Sequence, residues 1–149
     1  ALRSGFSSND AMNELSPEML TRLFREAQNV QRRAYAPYSE FRVGAALLTD
    51  RGRVISGCNV ENASYGLSNC AERVAIGRCV ADNAGVPIVC VVVGPHPEPL
   101  TPCGACRQVL LEFNPEMLVV SFGSDGSSKE FTAKELLPHS FGASDLSQQ

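Results

Sequence analysis

Apolar residues recur at helical spacing through Leu20, Leu23, Phe24, Ala27, Val30 and Ala34, with Arg and Gln on the other face, which predicts an amphipathic helix to about Tyr35. Its start is marked by Ser16 as N-cap, Pro17 at the first helical position and Glu18 in the first turn. A residue preceding proline is pushed out of the helical region, so Ala36-Pro37-Tyr38-Ser39 ends the helix. The period then changes. Val43 to Thr49 and Arg53 to Ser56 flank Asp50-Arg51-Gly52 as strands flank a hairpin turn. After a polar stretch from Cys58 to Asn69, a second helix is expected from about Cys70, carrying Ala75, Ile76 and Val80. Ile88 to Val93 is unbroken apolar sequence between Pro87 and Gly94, the mark of a strand buried on both faces. The proline-rich segment Gly94 to Thr101 must be loop. A third helix is predicted to begin at Cys103 and to carry Val109, Leu110 and Leu111. Leu118 to Phe122 reads as another buried strand, Asp125-Gly126 as a turn, and Thr132 to Leu137 as a short helix stopped by Pro138.

A helix, a hairpin, then alternating helix and strand predict an α/β fold, a three-layer α/β/α sandwich with one mixed central sheet. No internal repeat or linker divides it. Residues 16–149 are expected to form a single domain and residues 1–15 a disordered leader, Ser- and Asn-rich and without the apolar stretch of a secretory signal.

Composition narrows the classes. A hydrophobic content of 44% and a charged content of 19% in 149 residues describe an ordinary globule with one core. No apolar run reaches the length of a membrane span, so no membrane partner is expected. The formal charge of −3 argues against a nucleic-acid partner, since phosphate binding draws on clustered Lys and Arg. Six cysteines without a secretory signal point to a reducing, cytoplasmic compartment and to thiol or metal chemistry. Cys58, Cys79 and Cys90 sit in apolar surroundings and read as small core residues.

The other three cysteines carry the chemistry. Cys70-Ala71-Glu72 and Pro102-Cys103-Gly104-Ala105-Cys106 offer three thiolates and a carboxylate two residues past the first of them. Three protein ligands leave the fourth position of a zinc ion open, as catalytic sites do, whereas structural sites are usually closed by four. A single C-x-x-C is shared by redox and structural-zinc motifs; joined to C-x-E it is the layout of zinc-dependent nucleobase deaminases. Both halves fall where a loop gives way to a helix, whose N-terminus brings partial positive charge to the sulfurs. That matters because zinc on three thiolates carries net negative charge, which weakens its Lewis acidity. Arg73 and Arg107 each follow a half-motif and are candidates to neutralise a thiolate, against a reading as solvated surface charges. Glu72 alone would be an ordinary acid in a first helical turn; beside a zinc it is placed for general acid/base work.

These motifs, with Phe41-Arg42-Val43-Gly44-Ala45-Ala46-Leu47 and Gly57-Cys58-Asn59-Val60-Glu61-Asn62-Ala63-Ser64-Tyr65-Gly66, make the chain resemble the cytidine deaminase family, in its small free-nucleoside form, from about Ser16 to Phe141. The resemblance implies one zinc per chain on Cys70, Cys103 and Cys106, and hydrolysis of cytidine and deoxycytidine to uridine and deoxyuridine with release of ammonia, a reaction of pyrimidine salvage. It implies that Glu72 carries protons from the attacking water to the ring nitrogen and then to the departing ammonia. Asn59 and Glu61 would grip the ribose 3′-hydroxyl, Phe41 would stack on the pyrimidine, and the Ala71 N–H would meet the base O2. A homotetramer is implied, with Tyr65 and Phe141 lent to neighbouring sites. The departures from the family pattern are the leader, the proline-rich loop at 94–101 and the last eight residues. His96 and His139 match no family ligand and read as solvated loop histidines.

Two other readings compete. A polynucleotide or antibiotic-nucleoside deaminase would share the zinc core, but a strand-binding channel needs basic and aromatic residues, and this chain is acidic and has no Trp. A zinc module that only folds would need a fourth ligand, and no further His or Cys lies within a few residues of the motif.

Overall fold

The computed structural model describes residues 15–147. The expected leader lies outside the described residues except for Leu15, which packs against the core and so belongs to the folded part. Helix α1, Pro17–Gln31, is capped by Ser16, whose Oγ accepts the Met19 N–H at 3.1 Å. It stops short of the predicted Tyr35. The Tyr35 N–H donates to the Asn59 carbonyl and its own carbonyl accepts from Glu61, so Tyr35 is drawn into an extended bridge with Val60.

Strands β1 (Gly44–Thr49) and β2 (Val54–Cys58) form the predicted hairpin. They are followed by a 3-10 turn at Tyr65–Leu67, helix α2 (Ala71–Ala81), strand β3 (Pro87–Val93), helix α3 (Gly104–Phe113) and strand β4 (Leu118–Phe122). Strand β5 (Ser128–Thr132), helix α4 (Ala133–Leu136) and helix α5 (Ala143–Leu146) complete the described chain. The sheet order is β2-β1-β3-β4-β5, antiparallel except for the parallel β3–β4 pair that the α3 crossover requires.

Alternation along β1 divides the core. Ala46 and Leu48 join Leu23 and Ala27 of α1 on one face, while Ala45 and Leu47 join Ala71, Ala75, Ile76 and Leu110 of α2 and α3 on the other. Helices therefore cover both faces of a mixed sheet, and all seven residues of β3 are buried. Two glycines bring the layers close. A Cβ at Gly44 would stand 2.0 Å from the Ala27 carbonyl oxygen, and one at Gly57 would stand 2.4 Å from the Ala75 nitrogen. The second approach seats the start of α2 on β2.

Candidate metal centre and active site

Cys70 is the N-cap of α2 and Cys103 the N-cap of α3, with Cys106 in the first turn of α3. Two helix N-termini thus converge, and their first N–H groups have no intrahelical acceptor. The three sulfurs lie within 4.8 Å of one another. Tetrahedral zinc–sulfur bonds of about 2.3 Å put neighbouring sulfurs about 3.8 Å apart. Cys70 Sγ and Cys103 Sγ are 3.7 Å apart, so the donor set fits the ion in number, softness and spacing. Among the described residues no other group of three metal-ligating side chains is as close.

The surroundings of Cys70 favour its thiolate. A hydrogen bond from the Cys106 thiol, and another from Arg73, bring the Cys70 pKa down to about 5 against the burial that opposes it. Cys106, as the donor, is pushed up by that bond and by burial. Arg73 places Nη2 3.4 Å from Cys70 Sγ and 3.4 Å from the Ser68 carbonyl. Arg107, the other candidate, is engaged elsewhere: it is neither bonded to a sulfur nor a solvated surface charge. Its donors go to the carbonyls of Pro102 at 2.7 Å and Leu136 at 2.9 Å and to Thr101 Oγ1 at 2.9 Å, bracing the loop that delivers Cys103.

Glu72 is only 4% exposed. Burial raises its pKa to about 7, and the neighbouring Cys70 charge adds to the rise. A carboxyl poised near neutrality gives up and takes up a proton with equal ease, as a general acid/base must. Glu72, Cys70 and Cys103 face a cavity of about 460 Å³ that is also lined by Phe41, Val43, Asn59, Glu61, Ala71, Leu100 and Thr101. No Lys or Arg lines it. Ala71 opens α2, so its N–H faces the cavity without an intrahelical partner.

Asn59 and Glu61 are tied to the opposite wall. Asn59 Oδ1 accepts the Val43 N–H at 2.9 Å and Nδ2 donates to the Phe41 carbonyl at 2.7 Å, so one amide holds the backbone on both sides of Arg42. The Glu61 carboxylate accepts the N–H groups of Tyr38 and Ser39 and the Ser39 hydroxyl, and these bonds, the hydroxyl first, hold its pKa below the usual range. Each side chain keeps capacity: Nδ2 retains one N–H, and the carboxylate can accept a fourth bond. Tyr65 and Phe141 stand apart from this cavity, 77% and 60% exposed.

A family model described as the cytidine and deoxycytidylate deaminase zinc-binding region matches residues 17–122. The chain belongs to the cytidine and deoxycytidylate deaminase family. It is 46% identical over 125 residues to the cytidine deaminase of Halalkalibacterium halodurans, covering 83% of this chain and 95% of that one. It is 41% identical over 133 residues to a probable cytidine deaminase of Dictyostelium discoideum, covering 89% and 90%. The crystal structure of cytidine deaminase from Burkholderia pseudomallei superimposes with a TM-score of 0.79 at 45% identity, over 85% of this chain and all of that one. That of Mycobacterium tuberculosis does so with a TM-score of 0.73 at 41% identity, over 83% and 97%.

Sequence reasoning missed Ser39, which lines the cavity, and read His96 as a solvated loop histidine; it is exposed, but its ring contact was not foreseen. Ser39 Oγ links the Glu61 carboxylate to the Phe41 N–H, which it accepts at 3.0 Å. The His96 ring lies 5.2 Å from that of Phe41, edge-on at 69°. His139 is an exposed loop residue.

Proposed function

We propose that the chain binds free cytidine and deoxycytidine in the 460 Å³ cavity and catalyses their zinc-dependent hydrolytic deamination to uridine and deoxyuridine. The observation that carries this reading is the buried Glu72 carboxyl lining the cavity with Cys70 and Cys103, whose sulfurs cluster with that of the buried Cys106. Cys70, Cys103 and Cys106 would hold the zinc, which when bound supplies the Lewis acidity that turns water into a nucleophile at neutral pH. The chain's own residues do the rest. Glu72 takes a proton from the attacking water and delivers it to the ring nitrogen next to C4. It then takes the remaining water proton from the new C4 hydroxyl and passes it to the exocyclic amine, whose bond to C4 breaks as the C4 carbonyl forms and ammonia leaves. Arg73 and the two helix N-termini offset the sulfur charge.

Substrate recognition follows from the groups left free. The Ala71 N–H donates to the base O2, and the Phe41 ring covers a face of the pyrimidine. A ribose 3′-hydroxyl accepts from Asn59 Nδ2 and donates to Glu61, so both its capacities are used. Enclosing the 3′-hydroxyl leaves no path for a following nucleotide. The exposed Tyr65 and Phe141 support a homotetramer in which each site is completed by neighbours, with the residues from 16 onward acting as one domain. A cytoplasmic salvage role accords with the free cysteines, and among the described residues no helix is long and apolar enough to cross a membrane.

The test is ultraviolet absorbance of cytidine mixed with the zinc-loaded protein. Loss of the cytidine band with ammonia release is expected. One zinc per chain with no turnover would make the centre a folding device instead.

A further inference from the structure

Phe41 has its backbone fixed from two sides, its N–H by Ser39 Oγ and its carbonyl by Asn59 Nδ2. Neither bond sets the torsion of the ring. The ring itself meets His96, with ring centroids 5.2 Å apart and an interplanar angle of 69°. That edge-to-face geometry is the favoured one for aromatic pairs. His96 itself does not line the cavity; it stands behind the ring that does.

The loop that carries His96 is anchored at several points. The His96 carbonyl accepts the Ser124 N–H at 2.8 Å, and Ser127 Oγ, whose proton goes to Asp125 Oδ1, lies 3.4 Å from the Pro97 carbonyl. Gly123 allows Pro97 to come so near that a Cβ there would stand 1.8 Å from the Pro97 oxygen. Further along, Leu100 packs on Gly94, and both line the cavity together with Thr101. The proline-rich loop thus meets the β4–β5 turn through His96 and Pro97 and forms cavity wall through Gly94, Leu100 and Thr101.

We infer that His96 is a positioning residue for the substrate base: held by the 94–101 loop, it locks the Phe41 ring in the orientation that closes one wall of the cavity. This inference rests on Phe41 covering the base, as proposed above. His96 is exposed, so its substitution is expected to leave the fold intact.

The test compares His96→Ala, His96→Phe, Glu98→Ala, Phe41→Ala and the double variant His96→Ala/Phe41→Ala in steady-state cytidine deamination by the zinc-loaded protein. An aromatic pair of this kind converts to about a two- to twelve-fold change in binding. His96→Ala is expected to raise KM by that factor with kcat within about two-fold and zinc content unchanged. His96→Phe restores KM because the edge-to-face contact survives. Glu98→Ala, in the same loop but away from the ring, leaves KM alone. In the double variant the His96 effect disappears, since the ring it acts through is gone. An unchanged KM in His96→Ala, an equal rise in Glu98→Ala, or additive effects in the double variant overturns the inference. If Phe41→Ala itself leaves KM unchanged, the stacking role of Phe41 fails instead, and the two failures are told apart.

Discussion

Replacing Glu72 by Gln keeps its size and its hydrogen-bonding capacity but removes the proton it can carry. General acid/base groups contribute about 10²–10⁴-fold to rate, and in the proposed mechanism Glu72 serves both the attack on C4 and the departure of ammonia, which places the expected loss at the upper end. A second magnitude follows from its burial. Its pKa rises from 4.5 to about 7, chiefly through burial. At about 1.4 kcal/mol per unit this is about 3 kcal/mol of preference for the protonated form in the fold. Because the folded pKa lies above the unfolded one, that stability is fully present below pH 4.5 and is lost as the pH rises through about 7. Gln is neutral throughout and carries no such dependence. Metal-free Glu72→Gln should therefore gain stability over metal-free wild type as the pH is raised, by up to about 3 kcal/mol at pH 8, with no growing difference below pH 4.5. Urea unfolding across that range measures this, with zinc-loaded turnover measured alongside. Near wild-type turnover in the zinc-loaded variant, or a stability difference that does not grow with pH, would refute the reasoning.

Changing Cys70, Cys103 or Cys106 to Ala should abolish zinc binding and activity, whereas Cys58→Ala, Cys79→Ala and Cys90→Ala should keep their zinc, as metal analysis will read directly. Arg73→Gln should keep the zinc but release Cys70 from its guanidinium, seen as faster reaction of the metal-free protein's thiols shifting to higher pH, because the pKa of Cys70 rises. Glu61→Gln, or 3′-deoxycytidine with the wild type, should raise KM about 5- to 150-fold, the cost of about 1–3 kcal/mol for an unmade polar contact, with zinc content unchanged. Gly57→Ala should destabilise the protein by about 1–3 kcal/mol and weaken zinc binding, since the added methyl meets the Ala75 nitrogen and the Ala71 carbonyl and pushes α2 off β2.

Most of the architecture is legible in local pattern. Ser16-Pro17 marks the start of α1, the apolar run of β3 marks the centre of the sheet, and Cys103 marks the turn into α3. What escaped is governed by partners distant in sequence. Ser128-Lys129-Glu130-Phe131-Thr132 lacks an apolar face and is a strand only because β4 offers it an edge, which is why it is largely exposed. Val80 fits the helical period of α2, yet 58% of it remains exposed on the rim. Asn59 belongs by resemblance to the sugar site, but its bonds to Phe41 and Val43 are visible only in the fold. Arg107 sits nearer to a cysteine in sequence than Arg73 does, yet only the path of the loop decides that Arg73 meets sulfur and Arg107 carbonyls. Metal ligands are readable because chemistry fixes their type and spacing; the residues that orient a cavity wall are not.

The account rests on the claim that this is a free-nucleoside deaminase, and one measurement tests it most directly. Zinc-loaded protein is given cytidine, deoxycytidine and a single-stranded oligonucleotide with one internal cytosine at equal concentration, and products are quantified by chromatography. Conversion of both nucleosides with the oligonucleotide left intact is the predicted result. Deamination of the oligonucleotide at a rate matching cytidine would contradict an enclosed 3′-hydroxyl and with it the assignment of Asn59 and Glu61.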